Sequence, residues 1–416
     1  MSDPIVIIGA GQAGLQVAES LRADKYEGGI VMLGTEPHVP YNRPPLSKRW
    51  LLEPMEFSSL AFRGPEALAR RNLDLRLGRS AVSVDRAARA VRLDDGGELR
   101  YAGLAFATGA RLRRLPVPGG SLGKVLGLRS VDDARAIAVA LDECAAAGEA
   151  LVVIGGGFIG LEVAAAARKR GVPATVLEGL PRLMSRVVAP IVSEAAERVH
   201  RAHGVEFVFE ARVTELVGDN TALGQGGRVR AVRTADGREF PAGCVVVGIG
   251  VEPEDGIAAA AGIACERGII VDDCARTSDP LVVAAGDCCA RRRADGSLLR
   301  LESVQNAVEQ GKAAAAALLG HEKPFTAAPW FWSDQYDLKL QMTGLSMGYD
   351  QVVTRGDLAR PAFSAYYFRA GKLIAVDSLS RIPDHMQARK LLDRGLSPTP
   401  AQVADESFDL GLLLRS

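Results

Sequence analysis

Short, almost wholly apolar runs punctuate this chain at intervals. Ile5–Ile8, Ile30–Leu33, Leu104–Ala107, Leu151–Ile154, Ala174–Leu177 and Leu281–Ala285 hold hardly a polar position between them. A strand covered on both faces of a parallel sheet reads this way. Helical stretches follow several of them, as over 14–23, where Leu15, Ala18 and Leu21 share one face. Shorter pieces at Leu75–Leu77, Ala81–Val84 and Ala90–Leu93 predict further strands, with a turn at Asp95-Gly96. Cys265–Thr277 predicts strand and turn, and Val304–Leu319 a helix. Past Gly320 the pattern changes. Alternating pieces at Gln351–Thr354, Phe363–Phe368 and Leu373–Val376 predict an antiparallel sheet, and a helix carrying Met386, Lys390 and Leu391 follows Pro383. The predicted class is α/β, with parallel sheets, followed by a C-terminal α+β domain.

The first strand runs into Gly9-Ala10-Gly11-Gln12-Ala13-Gly14. In a strand–turn–helix unit these glycines have separate tasks. Gly9 makes the tight turn, Gly11 lets backbone N–H groups approach a pyrophosphate, and Gly14 lets helix and strand pack closely. The helix N-terminus adds partial positive charge. After the next strand comes Gly34-Thr35-Glu36, with Glu36 22 residues past Gly14, where an acid meets adenosine ribose hydroxyls.

The plan repeats. Gly155-Gly156-Gly157-Phe158-Ile159-Gly160 follows Leu151–Ile154, and Glu178 ends the next strand, 18 residues past Gly160. Asp236-Gly237 repeats Asp95-Gly96, and 14 residues after each aspartate stands a strand-end glycine, Gly109 and Gly250. Ala107-Thr108-Gly109 is small enough for the chain to pass under a cofactor. Two such turns predict two Rossmann-like dinucleotide-binding domains and imply two dinucleotides, one carrying the resident redox ring and one the nicotinamide that exchanges. Leu281–Ala285 ends in Gly286-Asp287, placing a carboxylate at the C-terminal edge of a sheet, where ligands bind; the alternative is an Asp that caps the following helix. Pro40–Lys48 predicts a proline-fixed extended loop that starts a helix at Leu46 and brings Arg43 and Lys48 to a phosphate or flavin.

Composition narrows the reading. Lys+Arg and Asp+Glu are 50 each, so net charge is zero and no nucleic-acid partner is expected. No apolar run reaches the roughly 18 residues of a membrane span. The chain enters a strand at once, leaving no room for a signal peptide, so a cytoplasmic protein is expected. Six cysteines are scattered with no CxxC, predicting neither a disulfide framework nor a metal site. Cys288-Cys289 reads as two small residues after a strand.

These features resemble the FAD-dependent, NADH-utilising ferredoxin reductases of the putidaredoxin reductase type, relatives of rubredoxin reductases and apoptosis-inducing factor. The resemblance covers essentially the whole chain. It rests on Gly9–Gly14, Pro44-Pro45-Leu46-Ser47-Lys48, Gly155–Glu162, Thr277–Cys288, Glu302–Ala307 and Trp330–Gln335. It implies an FAD-binding domain from 1–111 and 244–321, an NADH-binding domain from 112–243 and a C-terminal domain from 322–416. It implies FAD on Gly9–Gly14, with the Ala13 backbone at the pyrophosphate and Thr35, Glu36 and the Val82 backbone at the adenosine. Thr35 departs from the acid often found there, leaving Glu36 to make the ribose contact. Arg43, Pro45 and Lys48 would lie along pyrophosphate and flavin, with Arg129 near the FAD. Asp287 would hold the ribityl chain, while the Val304 backbone and Trp332 would meet the flavin ring. NADH would sit on Gly155–Gly160, Ile159 included, with Glu178 on its ribose.

The implied reaction is hydride transfer from nicotinamide to flavin, then single-electron transfer to a 2Fe–2S ferredoxin serving a cytochrome P-450-type monooxygenase or ring-hydroxylating dioxygenase. The chain is expected to act as a monomer. Lys48 and Glu162 would pair beside the hydride path. Arg63 and Lys312 are the candidates for a basic ferredoxin-docking face. Two other readings use the same domains: a disulfide reductase, which needs paired cysteines at the flavin, and an NADH-binding redox sensor of the apoptosis-inducing-factor type.

Overall fold

The computed structural model describes residues 3–219 and 227–415. The chain divides into two compact units, one of 1–42, 56–111 and 251–327, the other of 43–55, 112–250 and 328–416.

The first unit is built on a five-stranded parallel sheet. Its order is Val282–Ala284, Gly103–Phe106, Ile5–Ile8, Ile30–Gly34, Leu73–Leu77. Ile5–Ile8 lies near the middle, paired residue for residue with Ile30–Leu33 and with Gly103–Phe106. All four of its side chains are buried, as the unbroken apolar run requires. The helices Gln12–Ala23 and Val304–Leu318 share one core with it, through Leu15, Ala18, Ala314 and Ala315. Strands Ala81–Asp85, Ala90–Leu93 and Glu98–Arg100 form a small antiparallel sheet.

The second unit repeats the plan. Its parallel sheet runs Val125–Leu126, Cys244–Val247, Leu151–Ile154, Ala174–Leu177, Val205–Val208, with the first strand of the repeat again third in order. A three-stranded antiparallel sheet recurs as well, at Val213–Gly218, Val229–Thr234 and Glu239–Pro241. The α/β class and the internal repeat are thus as read from the pattern. Only the edge strand differs in origin: in the first unit it comes late in the chain, in the second it precedes the repeat.

Residues 328–416 of this unit hold a five-stranded antiparallel sheet ordered Trp330–Gln335, Leu338–Gly344, Lys372–Leu379, Ala362–Arg369, Gln351–Asp357. Alternation divides its faces. Phe363, Ala365, Tyr367 and Ala375 pack with Leu161, Val192 and Ala196, whereas Tyr366, Phe368 and Val376 pack with Ala388 and Val403. The first two strands form a hairpin that the pattern did not reveal. Its turn is Tyr336-Asp337, with Tyr336 at φ 54°, not the Asn-Gly or Asp-Gly that marks such turns. The helix Val131–Ala147 also went unread, although Ser130 and Asp133 make a reciprocal capping box at its start.

The proline segment differs from expectation. Pro44–Ser47 is a turn of 3₁₀ helix, Lys48 breaks it at φ −121° and ψ −106°, and α-helix spans Arg49–Leu52. Proline's fixed φ suits the first turn of a helix, so Pro44 begins the helical turn instead of delaying it. Among the described residues no helix is long and apolar enough to cross a membrane.

Candidate functional site

Both glycine turns show the division of labour their spacing predicts. Gly9 has φ +120°, and a methyl there would lie 2.1 Å from the Ala107 carbonyl oxygen; one at Gly14 would lie 1.9 Å from the Gly9 oxygen. In the second turn Gly155 has φ +108° with a methyl 2.5 Å from the Gly248 oxygen, and Gly160 would meet the Gly155 oxygen at 2.2 Å. These four positions exclude any side chain by contact with backbone. The middle glycines are different. A methyl on Gly11 or Gly157 would meet no protein atom within 4 Å. Each of these two residues is the N-cap of a 12-residue helix and has no side chain to cap it. Open space over free helix N–H groups fits a dinucleotide pyrophosphate.

Around the first turn, Glu36 accepts a hydrogen bond from Tyr41 Oη at 2.6 Å, and Thr35 Oγ1 lies 3.2 Å from Ser80 Oγ. Val82 stands on the strand Ala81–Asp85 with its side chain 51% exposed. Asp287 follows Gly286, whose φ is +88° and whose N–H donates to Gln310 Oε1 at 2.8 Å. Asn306 Nδ2 donates to the same oxygen at 3.1 Å. The helix after Asp287 is capped by Ser303, whose Oγ accepts from the Asn306 N–H. Asp287 is therefore not its cap. Gln310, 4% exposed, fixes the turn that carries Asp287, a role spacing did not reveal.

Around the second turn, Glu178 Oε2 accepts from the Gly156 N–H at 2.6 Å and Oε1 from the Leu180 N–H at 2.8 Å. Each oxygen keeps a lone pair for a ligand. Arg182, four residues on, is committed elsewhere: it donates to the carbonyls of Ser185 and Val188 and to Ser193 Oγ. Ile159 is 44% exposed at the helix start. Arg43 donates to the Arg129 carbonyl oxygen at 2.6 Å, and Trp332 lies beside Trp330 with ring centroids 5.5 Å apart.

The strongest chemistry in the second unit is an ion pair between a half-buried lysine and a buried carboxylate. Lys48 Nζ lies 3.0 Å from Glu162 Oε2 and 3.3 Å from the Pro44 carbonyl oxygen. Glu162 is 4% exposed on the helix Phe158–Lys169. The break at Lys48 turns its side chain out of the 3₁₀ turn toward this carboxylate. Ser47 Oγ also donates to Glu162 Oε2, and Ser333 Oγ donates to Oε1 at 2.5 Å. A carboxylate this buried needs such compensation. The sequence pointed to Lys48 and Glu162 but not to the two serines. The proposed docking cations are both paired: Arg63 lies 3.2 Å from Glu19, and Lys312 lies 2.8 Å from Glu309.

The pyridine nucleotide-disulphide oxidoreductase model matches residues 3–311, and a reductase C-terminal model matches 330–414. The chain belongs to this oxidoreductase family. It is 43% identical over 411 residues to rhodocoxin reductase of Rhodococcus erythropolis, covering 99% of this chain and 94% of that protein. It is 40% identical to a putidaredoxin reductase of Pseudomonas putida, over 98% of this chain and 96% of that one. Among solved structures, a ferredoxin reductase for the CYP199A2 system of Rhodopseudomonas palustris superposes with a TM-score of 0.93 at 44% identity, covering 99% of each chain. The reductase in a covalent putidaredoxin reductase–putidaredoxin complex gives 0.94 at 38% identity, over 100% of this chain and 98% of that one. As a member of this oxidoreductase family, the chain takes FAD and NAD(H) as cofactors.

Proposed function

We propose that the chain is an NADH:ferredoxin oxidoreductase that takes a hydride from NADH and passes electrons singly to a 2Fe–2S ferredoxin. The observation that carries this reading is the pair of glycine turns, each with its middle glycine open and its outer glycines closed. Bound FAD supplies the step from a two-electron donor to a one-electron acceptor. The ferredoxin class follows from relatives whose names and complexes are those of ferredoxin reductases. The ferredoxin is expected to serve a P-450-type monooxygenase or a ring-hydroxylating dioxygenase, in the cytoplasm.

In this reading residues 1–111 and 244–321 bind FAD, 112–243 bind NADH, and 322–416 complete the protein. Gly9, Gly11, Ala13 and Gly14 hold the FAD pyrophosphate, with Glu36 on the adenosine ribose and Asp287 on the ribityl chain. Thr35, Val82, Ala107, Gly109, Arg43, Pro45, Arg129, Val304 and Trp332 line that cofactor. Gly155, Gly157, Ile159, Gly160 and Gly250 serve NADH, and Glu178 takes its ribose hydroxyls. Lys48, held by Glu162, places a positive charge where hydride arrival adds negative charge. Such preorganised charge acts in transfer with little reorganisation.

A disulfide reductase fits less well. Cys144 and Cys244 sit with Sγ atoms 3.6 Å apart, and Cys288 and Cys289 with theirs 3.8 Å apart, but all four side chains are buried, at 2% exposure or less. A disulfide substrate has no route to them. The test is steady-state turnover with NADH. Cytochrome c reduction should depend on added 2Fe–2S ferredoxin, while ferricyanide is reduced without it. Ferricyanide reduction with no ferredoxin-dependent cytochrome c reduction would point instead to a redox sensor.

A further inference from the structure

Glu162 is the end of a longer polar path. Ser333 and Gln335 lie two apart on the strand Trp330–Gln335 and so face the same side. Gln335 Nε2 donates to Ser333 Oγ at 3.1 Å, and Gln335 Oε1 lies 2.8 Å from His200 Nε2. His200, on the helix Pro190–Ala202, is fully buried between the rings of Phe207 and Tyr336. Ser333 and Gln335 are 0% and 1% exposed.

The direction of every bond in this path is fixed by chemistry. An ionised carboxylate only accepts, so Ser333 must donate to Glu162. Ser333 Oγ then accepts from the Gln335 amide nitrogen. That choice turns the Gln335 carbonyl toward His200, which must carry its proton on Nε2. Burial lowers the His200 pKa to about 4, so the ring is neutral near pH 7. Its Nδ1 has no partner among the described residues, as expected for the unprotonated nitrogen of that tautomer. All donors point one way, from His200 to the carboxylate. Bonds aligned head to tail polarise one another, so the last donor in the row is a stronger one.

We propose that Ser333, Gln335 and His200 are positioning residues for hydride transfer, a one-way hydrogen-bond relay that holds the Glu162 carboxylate against Lys48. The inference rests on the reading that Lys48 and Glu162 stand beside the hydride path. Packing does not need these polar groups. The helix carrying Glu162 already shares an apolar core with the hairpin partner of this strand, through Leu161, Leu338 and Leu340, and Phe331 of the strand itself meets Phe158 of the helix with ring centroids 4.8 Å apart. Polar side chains at these positions cost burial energy that apolar ones would not, and the row of hydrogen bonds that offsets it ends on the carboxylate.

The test uses holoenzyme labelled with ¹³C-glutamate, in which Glu162→Gln identifies the Glu162 carboxylate stretch by infrared difference. Ser333→Ala should shift that band and slow flavin reduction by NADH about tenfold, the size of one hydrogen bond to a charged group. Ser333→Thr, which keeps the hydroxyl, should restore both band and rate. Gln335→Met should act in the same direction with a smaller effect. In a Glu162→Gln background Ser333→Ala should add nothing, since the relay then ends on a neutral amide. An unmoved band in Ser333→Ala overturns the relay. So does a rate loss of the same factor in both backgrounds. If Glu162→Gln itself leaves flavin reduction at the wild-type rate, the placement of Lys48 and Glu162 on the hydride path fails, whatever the band shows.

Discussion

Substituting Gly157 by alanine separates the cofactor tasks of the two halves. The new methyl meets no protein atom within 4 Å, and Gly157 has φ −82°, which any L-residue adopts. The folded protein loses only the preference of a helix N-cap for glycine over alanine, about 0.5–1 kcal/mol. Gly160→Ala is the contrast. Its methyl would lie 2.2 Å from the Gly155 oxygen and 3.1 Å from Val153 Cγ1, neither able to retreat without moving the strand. Overpacking of this kind costs roughly 1–3 kcal/mol or more. The methyl at Gly157 instead fills the space a pyrophosphate would occupy. Losing one backbone hydrogen bond to a charged phosphate costs about 1.5–3 kcal/mol, so the Kd for NADH should rise roughly 10- to 100-fold. FAD content, measured by flavin absorbance per protein after gel filtration, should stay at one per chain. Gly11→Ala should do the reverse, losing FAD while the protein stays folded. The assay is NADH titration beside a melting curve for each variant. Flavin loss with intact NADH binding in Gly157→Ala would mean that the two turns hold the opposite cofactors. A melting temperature lowered as far as in Gly160→Ala would mean that Gly157 is a packing residue.

NADH should be preferred over NADPH, because Glu178 would repel a 2′-phosphate and Arg182 is committed to Ser185, Val188 and Ser193. Glu178→Ala should narrow the ratio of kcat/KM values about tenfold, or 1.4 kcal/mol; an unchanged ratio refutes the assignment. Burial raises the Asp377 pKa to about 7, with Tyr367 donating to its Oδ2 and opposing the rise. The folded state therefore keeps a proton that the unfolded state releases near pH 4, and Asp377 stabilises at low pH but loses that contribution as pH rises through about 7. Asp377→Asn should flatten this slope, removing roughly 2–4 kcal/mol of stability difference between pH 4 and pH 8; parallel denaturation curves for the two proteins across that range would refute it.

Much of the fold was legible because most of the parallel strands are short, continuous apolar runs, several of them ended by glycine. Ile5–Ile8, Leu151–Ile154 and Ala174–Leu177 end where the pattern ends them. What escaped was structure whose signal is not hydrophobic period. The hairpin at Tyr336 turns on a residue that seldom takes positive φ, held there by tertiary contacts: its ring stacks on His203 at 3.7 Å. The 3₁₀ turn at Pro44–Ser47 has no local signal of its own, because a proline pair fits an extended loop and a helical first turn equally well.

The site divides along a different line. Its glycines were readable because a backbone approach leaves a mark at one position. The groups around Glu162 were not, because they come from positions 47, 48 and 333, and long-range pairing leaves no local spacing. A signal was nonetheless present. The helix Phe158–Lys169 is buried without interruption from Gly160 to Ala167, and Glu162 is the one ionisable residue in that run. An acid inside an all-apolar stretch must find donors, or it would not be kept there. Ser333 and Gln335 carry the matching mark. They alternate with Trp332 and Asp334, so they occupy the same face as Phe331, and polar residues on the apolar side of a strand are donors in search of an acceptor. A lone acid in one buried element and two lone donors in another are complementary anomalies. Pairing such anomalies across a sequence identifies a contact that neither element's periodicity contains.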